Sequence, residues 1–212
     1  MAKKAFARED KDDRRRLILA TAARLFLEGD GTLPSAARIA AACDLAKGTI
    51  YLYFNTKGAI FATLQTDGWR GLRDAVDRVT ATVTATPDAM VAAIIAGLVD
   101  HLRRHPELLS LDALGHGVIE PNMVVGELAA FKARQMAMLA VAADRLDHVL
   151  ALPAGKGLKM LLRSYALIRG MWQSLPSSAA TETAFDFHAE VAEALHEYWR
   201  GALAGHSFQI GT

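Results

Sequence analysis

Residues 35–57 read Ser35-Ala36-Ala37-Arg38-Ile39-Ala40-Ala41-Ala42-Cys43-Asp44-Leu45-Ala46-Lys47-Gly48-Thr49-Ile50-Tyr51-Leu52-Tyr53-Phe54-Asn55-Thr56-Lys57. Pro34-Ser35 opens a short helix from Ser35 to Ala42, because the Ser hydroxyl can accept an orphan amide of the first turn. Cys43-Asp44-Leu45 then makes a tight step, and a second short segment runs from Ala46 to Phe54. Two short helices around a tight turn, the second rich in small and hydrogen-bonding residues, describe a helix-turn-helix. Ile39, Ala40, Cys43, Leu45, Ile50 and Phe54 are the apolar positions that lock the pair together. Lys47, Gly48, Thr49, Tyr51 and Tyr53 are left to face a groove, with Tyr51 able to pack as well. Gly48 removes a side chain where a backbone can approach closely. Thr49 offers a hydroxyl to phosphate or a methyl to thymine. Lys47, Tyr53 and Lys57 suit phosphate oxygens, Lys57 beside a helix N-terminus whose amides add to the attraction. In isolation these lysines read as solvated surface charges; their placement around the motif favours contact. Cys43, on the inner side of the turn, reads as a small buried filler.

Composition extends this outward. The 212 residues include 40 Ala and 27 Leu against only 20 Ile plus Val, so an all-α chain is expected and a sheet protein is not. Hydrophobic content of 52% excludes a largely disordered chain. The single Cys43 excludes a disulfide within the chain and a thiolate-rich metal site, and suits a reducing cytosol. The charged stretch Lys3 to Arg16 has no signal-type apolar run behind it, and the eleven near-apolar residues from Ala89 to Val99 are too short to span a bilayer. A cytoplasmic protein is expected. The formal net charge of +1 divides unevenly: residues 1–65 carry 11 basic and 7 acidic side chains, and residues 66–212 carry 13 and 16. A positive first third points to a polyanion partner, unless both parts are ordinary solvated faces.

Periodicity gives nine helices and no strand. After a charged leader, Arg14 to Glu28 places Leu17, Ile18, Thr21, Ala22, Leu25 and Phe26 on one stripe, ended by Gly29-Asp30-Gly31. The leader is either an arm that grazes phosphates or a solvated segment. Beyond the two short helices, Lys57 begins a helix to about Thr84. Others follow over Pro87–His105, Glu107–Leu114, Val124–Leu150, Leu158–Ser174 and Phe185–Leu203.

The run Ile39-Ala40 through Lys47-Gly48-Thr49-Ile50-Tyr51-Leu52-Tyr53-Phe54 to Lys57 resembles the DNA-binding signature of TetR-family transcriptional regulators. The resemblance implies a three-helix DNA-binding domain, taken here as residues 1–57. It implies a larger helical ligand-binding and dimerisation domain over 58–212, and repression relieved by a small molecule. DNA contact is then expected from Ser35, Arg38, Lys47, Gly48, Thr49, Tyr51, Tyr53 and Lys57. The chain departs from the family pattern in three ways. Asp44 stands where the turn usually has Gly, and Asp tolerates the left-handed conformation at modest cost. Ala46 stands where the recognition helix usually has a Ser or Thr cap, part of which Asp44 could supply. Ala36 and Ala37 stand where polar DNA contacts are common, which leaves Arg38 as the main charge on its helix.

In the body, Ala166, Gly170 and Ser174 recur every fourth residue and form a smooth stripe for close helix approach. Val191, Leu195, Tyr198 and Trp199 form an apolar face on the last helix. Together these are the expected homodimer interface, the alternative being packing within the chain. Met90, Ile94, Leu98, His101, His116, Met136, Leu139, Tyr165 and Trp172 supply the mixture of apolar lining and few polar groups that an effector pocket needs, the alternative being plain core. The His residues show no metal spacing, and Gly155-Lys156-Gly157 lacks the rest of a nucleotide fingerprint, so no metal and no cofactor are expected. The expected function is a homodimeric, non-enzymatic DNA-binding regulator. It would act as a repressor released from a palindromic operator by a largely apolar effector. The rivals are a constitutive architectural DNA binder and, against the absence of a nucleophile or acid/base motif, a helical enzyme on an apolar substrate.

Overall fold

The computed structural model describes residues 2–82, 86–175 and 186–207. Among these there are nine α-helices and no strand: α1 (Ala2–Leu27), α2 (Ala36–Ala42), α3 (Lys47–Tyr51), α4 (Lys57–Thr82), α5 (Pro87–Arg104), α6 (Glu107–Ala113), α7 (Val125–Val149), α8 (Lys156–Gln173) and α9 (Phe187–Ser207). A π-helical turn (Gly115–Ile119) and a 3-10 turn (Glu120–Asn122) link α6 to α7.

Most helix ends follow from local chemistry. Thr86 caps α5 by accepting from the Ala89 amide at 3.4 Å, with Pro87 in the first turn where its missing N–H costs nothing. Asp186 caps α9, accepting from the His188 amide at 2.9 Å and the Ala189 amide at 3.2 Å. That cap starts the helix at Phe187; Phe185, the expected start, lies outside the described residues. A carboxylate from the preceding helix, Asp147, accepts from the Gly155 and Gly157 amides at 2.6 and 2.5 Å, so α8 begins at Lys156. The charged leader is helical, not a separate arm: α1 begins at Ala2. Arg14–Asp10 at 3.4 Å and Arg16–Asp13 link side chains one turn apart along it.

The chain forms two compact units, one of residues 1–68 and 106–131 and the other of 69–105 and 132–212. The core of the first joins Ile18, Ala22 and Phe26 of α1, Ile39 of α2, Ile50 of α3, Phe54, and Ile60 and Phe61 of α4 to Leu111 of α6, Ile119 and Phe131. Phe26 and Phe61 meet with ring centroids 6.4 Å apart. Leu17, placed on the buried stripe from its spacing, instead points outward at 48% exposure. The helix-turn-helix is thus completed by residues far along the chain.

The second unit packs α9 against α5 and α8. Ile94, Ile95, Leu146, Met160, Leu195 and Trp199 are buried in it. Trp199 donates from its indole nitrogen to the Ser164 hydroxyl at 2.8 Å, and Ser164 in turn donates to the Met160 carbonyl at 2.9 Å. A side chain on Gly71 would run into the ring of buried His101.

Candidate nucleic-acid interface

The turn between α2 and α3 is a Schellman motif. The Leu45 amide donates to the Ala40 carbonyl at 2.9 Å and the Asp44 amide to the Ala41 carbonyl at 3.3 Å. This requires a left-handed residue after the helix cap, and Asp44 supplies it with φ at +55°. Asp44 therefore takes the glycine role through its backbone. Its expected second task is not performed: α3 starts on Ala46 with extended backbone and no side-chain cap. At the other end of α2, the Ser35 hydroxyl accepts from the Arg38 amide at 3.2 Å, so Ser35 is the N-cap.

The motif brings Arg38, Lys47, Gly48, Thr49 and Tyr51 onto one pair of packed helices, with Ser35 capping the first, Tyr53 just beyond the second and Lys57 opening α4. Ser35 and Arg38 are exposed on α2, and Lys47 and Gly48 are exposed at the start of α3. A Cβ on Gly48 would meet nothing within 4 Å, so open space and not packing lies over it. Thr49 is half-buried and Tyr51 is 44% exposed, while Ile50 between them is fully buried. Tyr53 differs: it packs half-buried on the core, which leaves only part of its ring to face outward. Lys57 is half-buried in the first turn of α4, which Thr56 caps by accepting from the Ala59 amide at 3.1 Å. Arg15 of α1 sets its guanidinium 4.9 Å from the centre of the Phe54 ring, so one leader cation is spent on holding the end of the motif. In the loop before α2, the Thr32 hydroxyl and amide both donate to Asp30 and hold its carboxyl below the ordinary value, with the Arg38 charge adding to the shift.

Three residues around the motif escaped the sequence reading. Leu52 projects at 76% exposure beside Tyr51, a large apolar side chain left uncovered by the chain's own packing. Its period placed it on no recognisable face, because α3 is only five residues long. Thr56 is a helix cap, visible in principle as a Thr just before a helical run. Asn55 donates to Glu127 at 2.8 Å across 72 residues of sequence, a contact without any local signal.

In the second unit, Met90, Ile94, Leu98 and His101 are all buried on α5. Tyr165 is half-buried against Trp69, ring centroids 5.0 Å apart, and Trp172 against Phe187 at 5.4 Å. Leu139 is half-buried on α7, and Met136 lies on its surface at 51% exposure. The side chain of His116 lies outside the described residues. An open groove of about 540 Å³ is lined by Pro153, Lys156, Arg163, Glu197, Tyr198, Gly201 and Ala202, none of them in the expected pocket set. Of the expected interface residues, Ala166, Gly170 and Ser174 are exposed along α8. The face of α9 needs correction: Val191 at 1% and Leu195 and Trp199 at 0% exposure are consumed by packing within the chain. An apolar face on a terminal helix looks the same whether its partner is the same chain or another. Only Tyr198 of that set is half-exposed. No group of three or more metal-ligating side chains occurs among the described residues, and no described helix is long and apolar enough to cross a membrane.

Two sequence profiles match the chain. Residues 18–64 match the bacterial regulatory proteins of the tetR family, and residues 70–206 match the tetracyclin repressor-like C-terminal domain. Among solved structures, the fold is similar to a TetR-family transcriptional regulator from Streptomyces coelicolor, at 14% identity, TM-score 0.63, covering 92% of this chain and 83% of that one. It is also similar to the TetR-family regulator PfmR from Thermus thermophilus, at 18% identity, TM-score 0.56, covering 85% and 94%. A third is the transcriptional regulator FadR from Bacillus subtilis in complex with stearoyl-CoA, at 15% identity, TM-score 0.57, covering 86% and 95%. A search among curated proteins finds no match.

Proposed function

We propose a specific role for this chain from the premise that it belongs to the tetR family of bacterial regulatory proteins, and so is a helix-turn-helix DNA-binding transcriptional regulator with a helical ligand-binding domain. It acts as a homodimeric repressor that leaves a palindromic operator when a small, largely apolar effector binds. Residues 1–57 read DNA, and residues 58–212 sense the effector and dimerise. The observation that carries the reading is the edge of α3 formed by exposed Lys47, Gly48 and Tyr51 with half-buried Thr49, flanked by Arg38 of α2 and its N-cap Ser35.

The physics of each part is ordinary. Lys47, Lys57 and Arg38 neutralise phosphates and fix the register, while Thr49, Tyr51 and the bare backbone at Gly48 approach the base edges. Two subunits related by a twofold axis present two such helices, which requires inverted half-sites about one helical turn apart. The effector acts by binding better to the state that cannot hold both half-sites. The apolar effector is placed in this reading against α5, whose Met90, Ile94 and Leu98 are apolar and buried, with His101 as a polar group. A bound acyl thioester in one protein of the same fold is in keeping with it.

Selecting DNA from a random pool with the purified protein, then footprinting the winner, tests the core of this reading. Two inverted half-sites protected by one dimer are expected. A single asymmetric half-site would sink the dimeric reading, and equal binding to all sequences would replace it with an architectural role.

A further inference from the structure

The chain between α3 and α4 is held at three points. Phe54 is buried at 4% exposure beneath Arg15, Thr56 caps α4, and the Asn55 side chain donates from its amide to Glu127 Oε1 at 2.8 Å. The first two anchors are local or lie within the first three helices. The third comes from the first turn of α7, in the later part of the same compact unit. A second contact runs beside it: Gly58, in the first turn of α4, lies so close to the Asn122 carbonyl that no side chain would fit between them. Residues 120–127 therefore brace the segment that follows α3 at two places.

Glu127 is an expensive way to fill that position. Its Oε2 is buried and accepts no hydrogen bond, so one carboxylate oxygen has lost water without gaining a donor. An apolar residue would avoid that penalty but could not accept from Asn55. The helix being braced also needs help. At five residues, with no side-chain cap, α3 has little stability of its own, and its direction depends on what holds its ends.

We infer that Asn55 and Glu127 are a positioning pair that sets the orientation of α3 for DNA reading, neither residue touching the bases. This rests on the reading of α3 as the DNA-reading helix. Through Glu127, the pair gives α7 a direct hold on the recognition segment.

The test exchanges donor and acceptor. Asn55→Asp sets a carboxylate against Glu127, and Glu127→Gln on that background restores a complementary pair with the wild-type net charge. On DNA selected by the wild-type protein, Asn55→Asp is expected to weaken binding by about tenfold, and the double variant to recover to within about twofold. Glu127→Ala is expected to weaken binding although it removes a negative charge, which by electrostatics alone would strengthen it. Without DNA, amide hydrogen exchange over residues 52–58 should quicken in Asn55→Asp and return in the double variant. A double variant no better than Asn55→Asp in both measurements overturns the pair. So does a Glu127→Ala protein that binds as well as wild type. Lys47→Ala and Thr49→Ala separate the two levels: if both leave binding intact, α3 does not read DNA. If they weaken it while the exchanged pair shows no coupling, the α3 reading stands and the positioning role fails.

Discussion

At the scale of single residues, the informative feature of Lys57 is its setting and not its charge. It lies half-buried in the first turn of a helix whose N-terminus is capped by Thr56, so on the proposed reading its ammonium and the positive end of that helix would act on the same phosphate. Lys57→Ala should weaken binding on every DNA sequence alike and lower the slope of log affinity against log salt by roughly one unit. A salt titration with an unchanged slope would remove Lys57 from the phosphate contacts. Residue identity made much of this legible from sequence, since Lys, Gly and Thr have few roles in a helix-turn-helix. Tyr53 shows the limit. Its side chain is expected from sequence to face DNA, but packing decides which part of an aromatic ring remains exposed, and this one packs partly against the core.

At the scale of elements, helix ends were legible where the cap is adjacent in sequence and hidden where it is not. Thr86-Pro87 announces α5. Asp147, which caps α8 from the helix before it, does not announce itself. The end of α7 repeats the Schellman geometry of the DNA-reading turn, with Leu152 donating to the Asp147 carbonyl at 2.8 Å and Ala151 at φ +50°. Ala is a poor occupant of that conformation, so Ala151→Gly should stabilise the protein by about 1 kcal/mol in chemical denaturation, after the entropy that Gly adds to the unfolded chain. The cap of α9 makes a pH-dependent statement. Accepting the Ala189 amide, and with it that of His188, holds the Asp186 carboxyl below its ordinary value of 3.8. A folded value below the unfolded one means stability that is present above the unfolded value and lost as pH falls through the folded one. Asp186→Asn keeps an acceptor without the titration. Its melting temperature should therefore fall less than that of wild type between about pH 6 and about pH 3.

At the scale of the whole molecule, burial separates what stabilises the chain from what is left for a partner. Ser164 and Trp199 are both buried, and Ser164 is the acceptor for the indole N–H. Ser164→Ala should cost about 1–3 kcal/mol in thermal or urea unfolding, because a buried donor loses its partner. Ala166, Gly170 and Ser174, exposed on α8, belong to the other category. If they form the proposed dimer seam, Ala166→Arg should leave the helical signal and melting behaviour of the subunit close to wild type. It should also shift the sedimenting species to monomer and abolish tight operator binding. A dimer unchanged by that substitution would move the seam elsewhere. The sequence by itself determined the helical class, the helix-turn-helix and its family, because these rest on propensity, period and short-range turn chemistry. Tertiary structure alone decided which apolar faces are spent within the chain. It turned the α9 face inward, drew residues 106–131 into the unit that carries α3, and set Asn55 against Glu127. A hydrophobic period records that a face must be covered and carries no record of what covers it.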